Sequence, residues 1–104
     1  MIRHIVFFTA RNAADLDAIV EGLELLGKIP HIRHFEVSRN TKIDHIGNDV
    51  DVVVYAEFED EAALAAYKAH PLYAEATRRV RPLRDMRYAA DIRAKERLAL
   101  KRSA

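Results

Sequence analysis

The chain has no cysteine and no tryptophan, and only three glycines and three prolines among 104 residues. Without cysteine there is no disulfide staple and no thiolate metal site. Three scattered glycines form no glycine-rich phosphate loop. Ser38 and Ser103 are the only serines, and neither lies in a nucleophile elbow. No apolar run approaches the roughly 20 residues of a membrane span, which excludes a membrane protein of the helical kind. The start of the chain lacks the basic-then-apolar layout of a signal peptide. The expectation is a single cytoplasmic domain, because 50% hydrophobic content supplies a core for a chain of this length.

Net charge is only +1, but the charges are unevenly placed. Residues 1–76 hold 7 Lys/Arg against 13 Asp/Glu, a net of −6, and residues 77–104 hold 10 against 3, a net of +7. Opposite charges meeting within or between subunits is the simplest outcome. A basic patch for an anionic ligand or for nucleic acid is the sharper one. Tyr88 is the only ring in the basic segment, so base stacking has little to work with and no nucleic-acid partner is expected.

The hydrophobic pattern marks the elements. Residues 2–9 read as a strand. Asn12 reads as an N-cap with Asp15 three residues later, ahead of an apolar stripe at Leu16, Ile19, Val20, Leu23 and Leu26. Gly27 sits where a left-handed C-cap belongs, and Pro30 blocks resumption. Residues 32–39 read as a second strand, 40–50 as a polar turn-rich connection around Gly47-Asn48-Asp49, and 51–59 as a valine-rich third strand. Asp60 caps a helix over Glu61–His70. Pro71 breaks it and opens a second over Pro71–Arg81. In the fourth strand, 83–92, Met86, Tyr88, Ala90 and Ile92 alternate with Asp85, Arg87 and Asp91. The order is the α+β, ferredoxin-like β-α-β-β-α-β pattern with a four-stranded antiparallel sheet and helices on one face. The domain spans 1–92, followed by a charged tail over 93–104 whose large apolar residues are Leu98 and Leu100.

A half-buried strand should alternate, yet Ile5-Val6-Phe7-Phe8 and Val52-Val53-Val54-Tyr55-Ala56 are apolar on both faces. Such runs are buried on both sides. The helices cover one face, so a second copy of the sheet is expected on the other, as a two-fold homodimer.

Two stretches carry a family resemblance: Arg3-His4-Ile5-Val6 in the first strand, and Phe58-Glu59 through His70-Pro71. In this order and at this separation they resemble the stress-responsive dimeric α/β-barrel (Dabb) family over residues 2 to about 92. That resemblance implies the ferredoxin-like dimeric fold. The best understood relatives resemble plant polyketide cyclases, which close a ring by aldol-type chemistry without metal or cofactor. Their helix tyrosine matches Tyr67. The first histidine of their His-Pro-x-His motif matches His70, and the catalytic histidine three residues on falls at Tyr73 here. An imidazole with a pKa of about 6.5 exchanges protons at neutral pH, whereas a phenol of about 10 is a poor base. A base, if there is one, is therefore His70 or His4, with Tyr67 as hydrogen-bond donor.

The expected catalytic residues are thus His70, Tyr67 and His4. Tyr73 stands at the entrance, and Val6, Phe8, Val52 and Val54 form the apolar wall on the strand faces that His4 shares. Each also has a structural role open to it: His4 as a satisfied strand histidine, Tyr67 as a core aromatic, His70 as a helix terminator. His31 and His34 lie three apart beside a strand and diverge, and His45 sits in a loop, so no metal or other cofactor is expected. Three functions compete. The first is binding or transformation of a small carbonyl or aromatic molecule without cofactor. The second is a non-catalytic stress-response or ligand-carrier module. The third is a cofactor-free monooxygenase-like protein.

Overall fold

The computed structural model describes residues 1–95. The strands are β1 (Ile2–Ala10), β2 (His34–Arg39), β3 (Val52–Phe58) and β4 (Arg84–Arg93), and the helices are α1 (Leu16–Glu24), α2 (Glu61–Ala69) and α3 (Pro71–Val80). All pairings are antiparallel and the sheet order is β2-β3-β1-β4. This is the ferredoxin-like arrangement. Among the described residues no helix is long and apolar enough to cross a membrane.

Period-two patterning sets the two faces of the sheet. Ile2, His4, Val6 and Phe8 of β1 and Val52, Val54, Ala56 and Phe58 of β3 are buried, while the residues between them are half-buried. The buried set meets Ile19 and Leu23 of α1, Tyr67 of α2, and Ala76 and Val80 of α3 in one core. Gly22 lets α1 approach α3, since a Cβ there would lie 2.9 Å from Val80 Cγ2. The opposite face carries Ile5, Phe7, Val53 and Tyr55, with Met86, Tyr88 and Ile92 as exposed large apolar side chains.

Capping chemistry sets the helix starts. The Asn12 side chain accepts from the Ala14 N–H at a 3-10 turn over Ala13–Asp15, which leads into α1. Asp60 accepts from the Ala63 N–H at 2.9 Å and starts α2. Pro71 occupies the first turn of α3, where its missing N–H costs nothing.

Three expectations are corrected. Gly27 is not a left-handed cap: it lies in a second 3-10 turn, Leu25–Lys28, and the left-handed residue of this connection is His31, with φ of 71°. Gly27 is small because the Phe35 ring lies against it, its Cδ2 only 2.9 Å from where a Cβ would be. The second strand starts at His34 instead of residue 32, because the turn at His31 delays its entry into the sheet. The last strand runs to Arg93, and the Ala94 N–H bonds the Met1 carbonyl at 2.9 Å, so the first residues of the proposed tail belong to the sheet. Leu98, Leu100 and the rest of that tail lie outside the described residues.

Candidate functional site

A cavity of about 330 Å³ opens between the sheet and the helices. Its floor is His4, Val6 and Phe8 of β1 and Val54 of β3, all aligned by the period-two pattern. Leu23 and Leu26 close one side; Tyr67, Tyr73, Ala76 and Val80 form the roof. Lys68, Arg81, Arg84 and Arg87 line it as well.

Among the described residues His4 is the one buried polar residue of the core, 1% exposed. Its Nδ1 lies 2.5 Å from Asp91 Oδ1 on the paired strand β4, where His4 and Asp91 are register partners. A carboxylate only accepts, so Nδ1 carries the proton and the neutral ring keeps its lone pair on Nε2. No described residue hydrogen-bonds that nitrogen. The rings of Phe58 and Tyr67 meet His4 edge-on, with centroids 6.3 and 6.0 Å away, and fix its plane. Burial lowers the His4 pKa and Asp91 raises it. Burial is the larger effect, so the imidazole lies below its ordinary 6.5 and is neutral at physiological pH.

Tyr67 is 2% exposed, and its hydroxyl makes no hydrogen bond to a described residue. Burial, then the neighbouring Tyr73, push its pKa up, so it stays a phenol and can only donate or accept as such. Tyr73 packs edge-on against Tyr67, ring centroids 5.4 Å apart, and its hydroxyl accepts from Arg87 Nη2 at 3.5 Å. The site thus holds a neutral base with an orienting carboxylate, a free phenol donor, and cations beside them. Such a set can remove a proton next to a carbonyl and hold the oxyanion that results.

Among the residues expected from sequence, the structure brings His4, Val6, Phe8, Val54, Tyr67 and Tyr73 to one cavity. It does not bring His70 there. The His70 Nδ1 accepts from the Leu72 N–H at 3.0 Å and caps α3. The Nδ1 lone pair is thus taken up by the cap. Val52, 0% exposed, is packed wholly within the core and does not reach the cavity. His70→Ala is expected to cost about 1 kcal/mol through the lost cap, read as a lower denaturation midpoint, and to leave ligand binding in the cavity unchanged.

Asp91 and the cations Lys68, Arg81, Arg84 and Arg87 escape a motif-based reading. Register supplies the only sequence signal: antiparallel pairing of the first and last strands sets Asp91 opposite His4. Away from the cavity, the exposed His34 Nε2 lies 3.1 Å from Glu36 Oε1. Among the described residues, no group of three His, Asp or Glu side chains is placed to hold a metal ion.

Residues 2–94 match the stress responsive A/B barrel domain family, Dabb. The chain belongs to that family. A Dabb family protein with a ferredoxin-like fold from Mesorhizobium loti is 28% identical, with a TM-score of 0.76 over 91% of this chain and 97% of that one. A dimeric ferredoxin-like protein from Jannaschia is 20% identical, with a TM-score of 0.79 over 89% and 98%. An antibiotic biosynthesis monooxygenase is 15% identical, with a TM-score of 0.71 over 92% and 100%. At their low identities the last two show a shared fold alone. No curated protein matches this Dabb chain significantly.

Proposed function

We propose that this Dabb protein is a cofactor-free enzyme that enolises a small aromatic or carbonyl compound, with His4 as the general base. The observation that carries the reading is the His4–Asp91 pair at 2.5 Å in the wall of a mostly apolar cavity. Asp91 holds the tautomer that leaves Nε2 free, and in the charged state it stabilises the imidazolium. His4 takes the proton α to the carbonyl onto Nε2, and the C–H electron pair moves to the carbonyl oxygen. Tyr67 donates a hydrogen bond to that oxygen, and the Arg87 cation favours its negative charge. The imidazolium then returns the proton to carbon, or the enolate carbon attacks a second carbonyl as in an aldol closure and the imidazolium protonates the alkoxide that results. Tyr73 guards the entrance and does not replace a base.

The test is exchange of the acetyl protons of 4-acetylbenzoate in D2O, followed by NMR. Acceleration by the protein, lost in His4→Gln, supports the reading. Binding without accelerated exchange overturns it in favour of a ligand carrier. Tyr67→Phe keeps the ring and removes the hydroxyl, so it is expected to weaken binding of the ketone by about 1 kcal/mol; titration calorimetry of the two proteins checks it.

The second part of the reading is a homodimer through the sheet faces opposite the helices. In one chain that face leaves Tyr88 60% and Ile92 45% exposed beside Ile5, Phe7 and Val53. Arg3 Nε, on the same face, is buried with no hydrogen-bond partner among the described residues, a donor that a facing subunit can satisfy. The relative from Jannaschia shares the fold and is dimeric, which supports a homodimer.

A further inference from the structure

The geometry points to a negatively charged ligand: the cavity selects an aromatic or carbonyl compound that bears an anionic group such as a carboxylate. This rests on the proposed reading of the cavity and names its substrate class. Lys68, Arg81, Arg84 and Arg87 line the cavity, and no acidic side chain does. None of the four makes a salt bridge among the described residues. Asp91 is engaged with His4, Glu75 with Arg78 and Arg79, and Glu61 with Arg93. The cavity lining therefore carries four positive charges and no negative one.

The backbone of β4 shows how two of them are aimed. Arg84 and Arg87 are three apart, and in a regular strand they would face opposite sides. Yet both line the cavity. The register explains it: Phe8 pairs with Arg87 and Ala10 with Arg84, so three steps on β4 oppose two on β1. The extra residue is a β-bulge, a device that re-aims side chains beside binding sites. Thr9 Oγ1 accepts from the Met86 N–H at 2.8 Å inside it, which gives the bulge a fixed partner. The charge reaches the reacting groups, too. Lys68 and Arg87 both act on the His4 imidazole, and Arg87 also acts on the Tyr67 hydroxyl. Apolar walls at Val6, Phe8 and Val54 with cations at one side suit an organic anion whose ring lies against the floor. Charge-assisted bonds from arginine then orient its anionic group and with it the carbonyl.

The experiment compares 4-acetylbenzoate with its neutral isostere 4-acetylbenzamide by titration calorimetry and by amide chemical shifts of cavity residues. At about 0.05 M salt the acid is expected to bind about ten-fold tighter, and the preference is expected to shrink at about 0.5 M salt. The Arg84→Gln/Arg87→Gln double variant is expected to lose most of the preference. Lys68→Gln, an exposed helix position that accepts glutamine, is expected to lose part of it and covers the case in which the double variant does not fold. Equal binding of acid and amide by the parent protein overturns anion selection, while exchange catalysis on either probe would leave the enolising reading standing. Acid preference with no exchange does the reverse. A preference that survives all the cation variants also overturns the proposal, as does binding of neither probe.

Discussion

His4→Gln is expected to lower enolisation of a bound aryl ketone by about a hundred- to ten-thousand-fold, the usual share of a positioned general base. Asp91→Asn is expected to fall in the same range for a different reason. An amide can offer its NH2 to Nδ1, which moves the imidazole proton to Nε2 and removes the lone pair that does the work. His70→Gln is expected to leave the rate unchanged, since that ring serves the backbone of α3. Deuterium exchange into the acetyl group, measured on all three variants, separates the assignments. A large loss in His70→Gln with none in His4→Gln would reverse them. The pH profile adds an independent check. Because burial holds the His4 pKa below 6.5, the acid limb of the rate should have its midpoint below that value. Stability follows the same sign: between the folded and unfolded pKa values the unfolded chain binds more protons. The His4 contribution is therefore present above pH 6.5 and is lost as pH falls through the interval below it. A rate limb centred above 6.5 would mean that Asp91 outweighs burial.

Val53→Asp is expected to break the dimer. Val53 lies on the face opposite the helices, with Phe7 of β1 and Ser38 of β2 as its register partners, near the middle of the sheet. A carboxylate buried there without a partner costs at least about 3 kcal/mol, enough to weaken association by more than about a hundred-fold. Sedimentation equilibrium of parent and variant at micromolar concentration reads the change directly. A parent that sediments as a monomer would refute the interface itself, and a variant that stays dimeric would place it elsewhere.

The fold was legible because local and long-range signals agree. Asn12, Asp60 and Pro71 mark helix starts by chemistry that depends on few neighbours. The doubly apolar runs of β1 and β3 read as buried on two sides without any knowledge of the partner. Gly27 shows where such reasoning stops. Its smallness serves the Phe35 ring, eight residues away, and a contact of that kind leaves no periodic trace. Half of the site was legible for the same reason as the fold: His4, Val6 and Phe8 share a strand face by period, and the family resemblance singled out Tyr67 and Tyr73. The rest turned on orientation. His70 and His4 have the same side chain, and only the partner of each Nδ1, a backbone N–H in one case and a carboxylate in the other, separates the cap from the proposed base. The alternation of β4 was visible, but a charged face is ordinarily read as facing water, and a bulge shifts that parity without a signature of its own.

The charges of β4 bear on solubility as well as on chemistry. β4 is an edge strand, exposed along most of its length, with backbone groups on its free side open to pairing with another chain. Charged side chains directed over the helix side of such an edge discourage stacking of one molecule on the next. Arg84 and Arg87, which line the cavity, are charges of that kind on this edge. Remodelling the pocket for uncharged compounds by making Arg84 and Arg87 apolar would strip two of those charges from the edge. A redesign of specificity in this protein is safer when new charges are added elsewhere along β4 first.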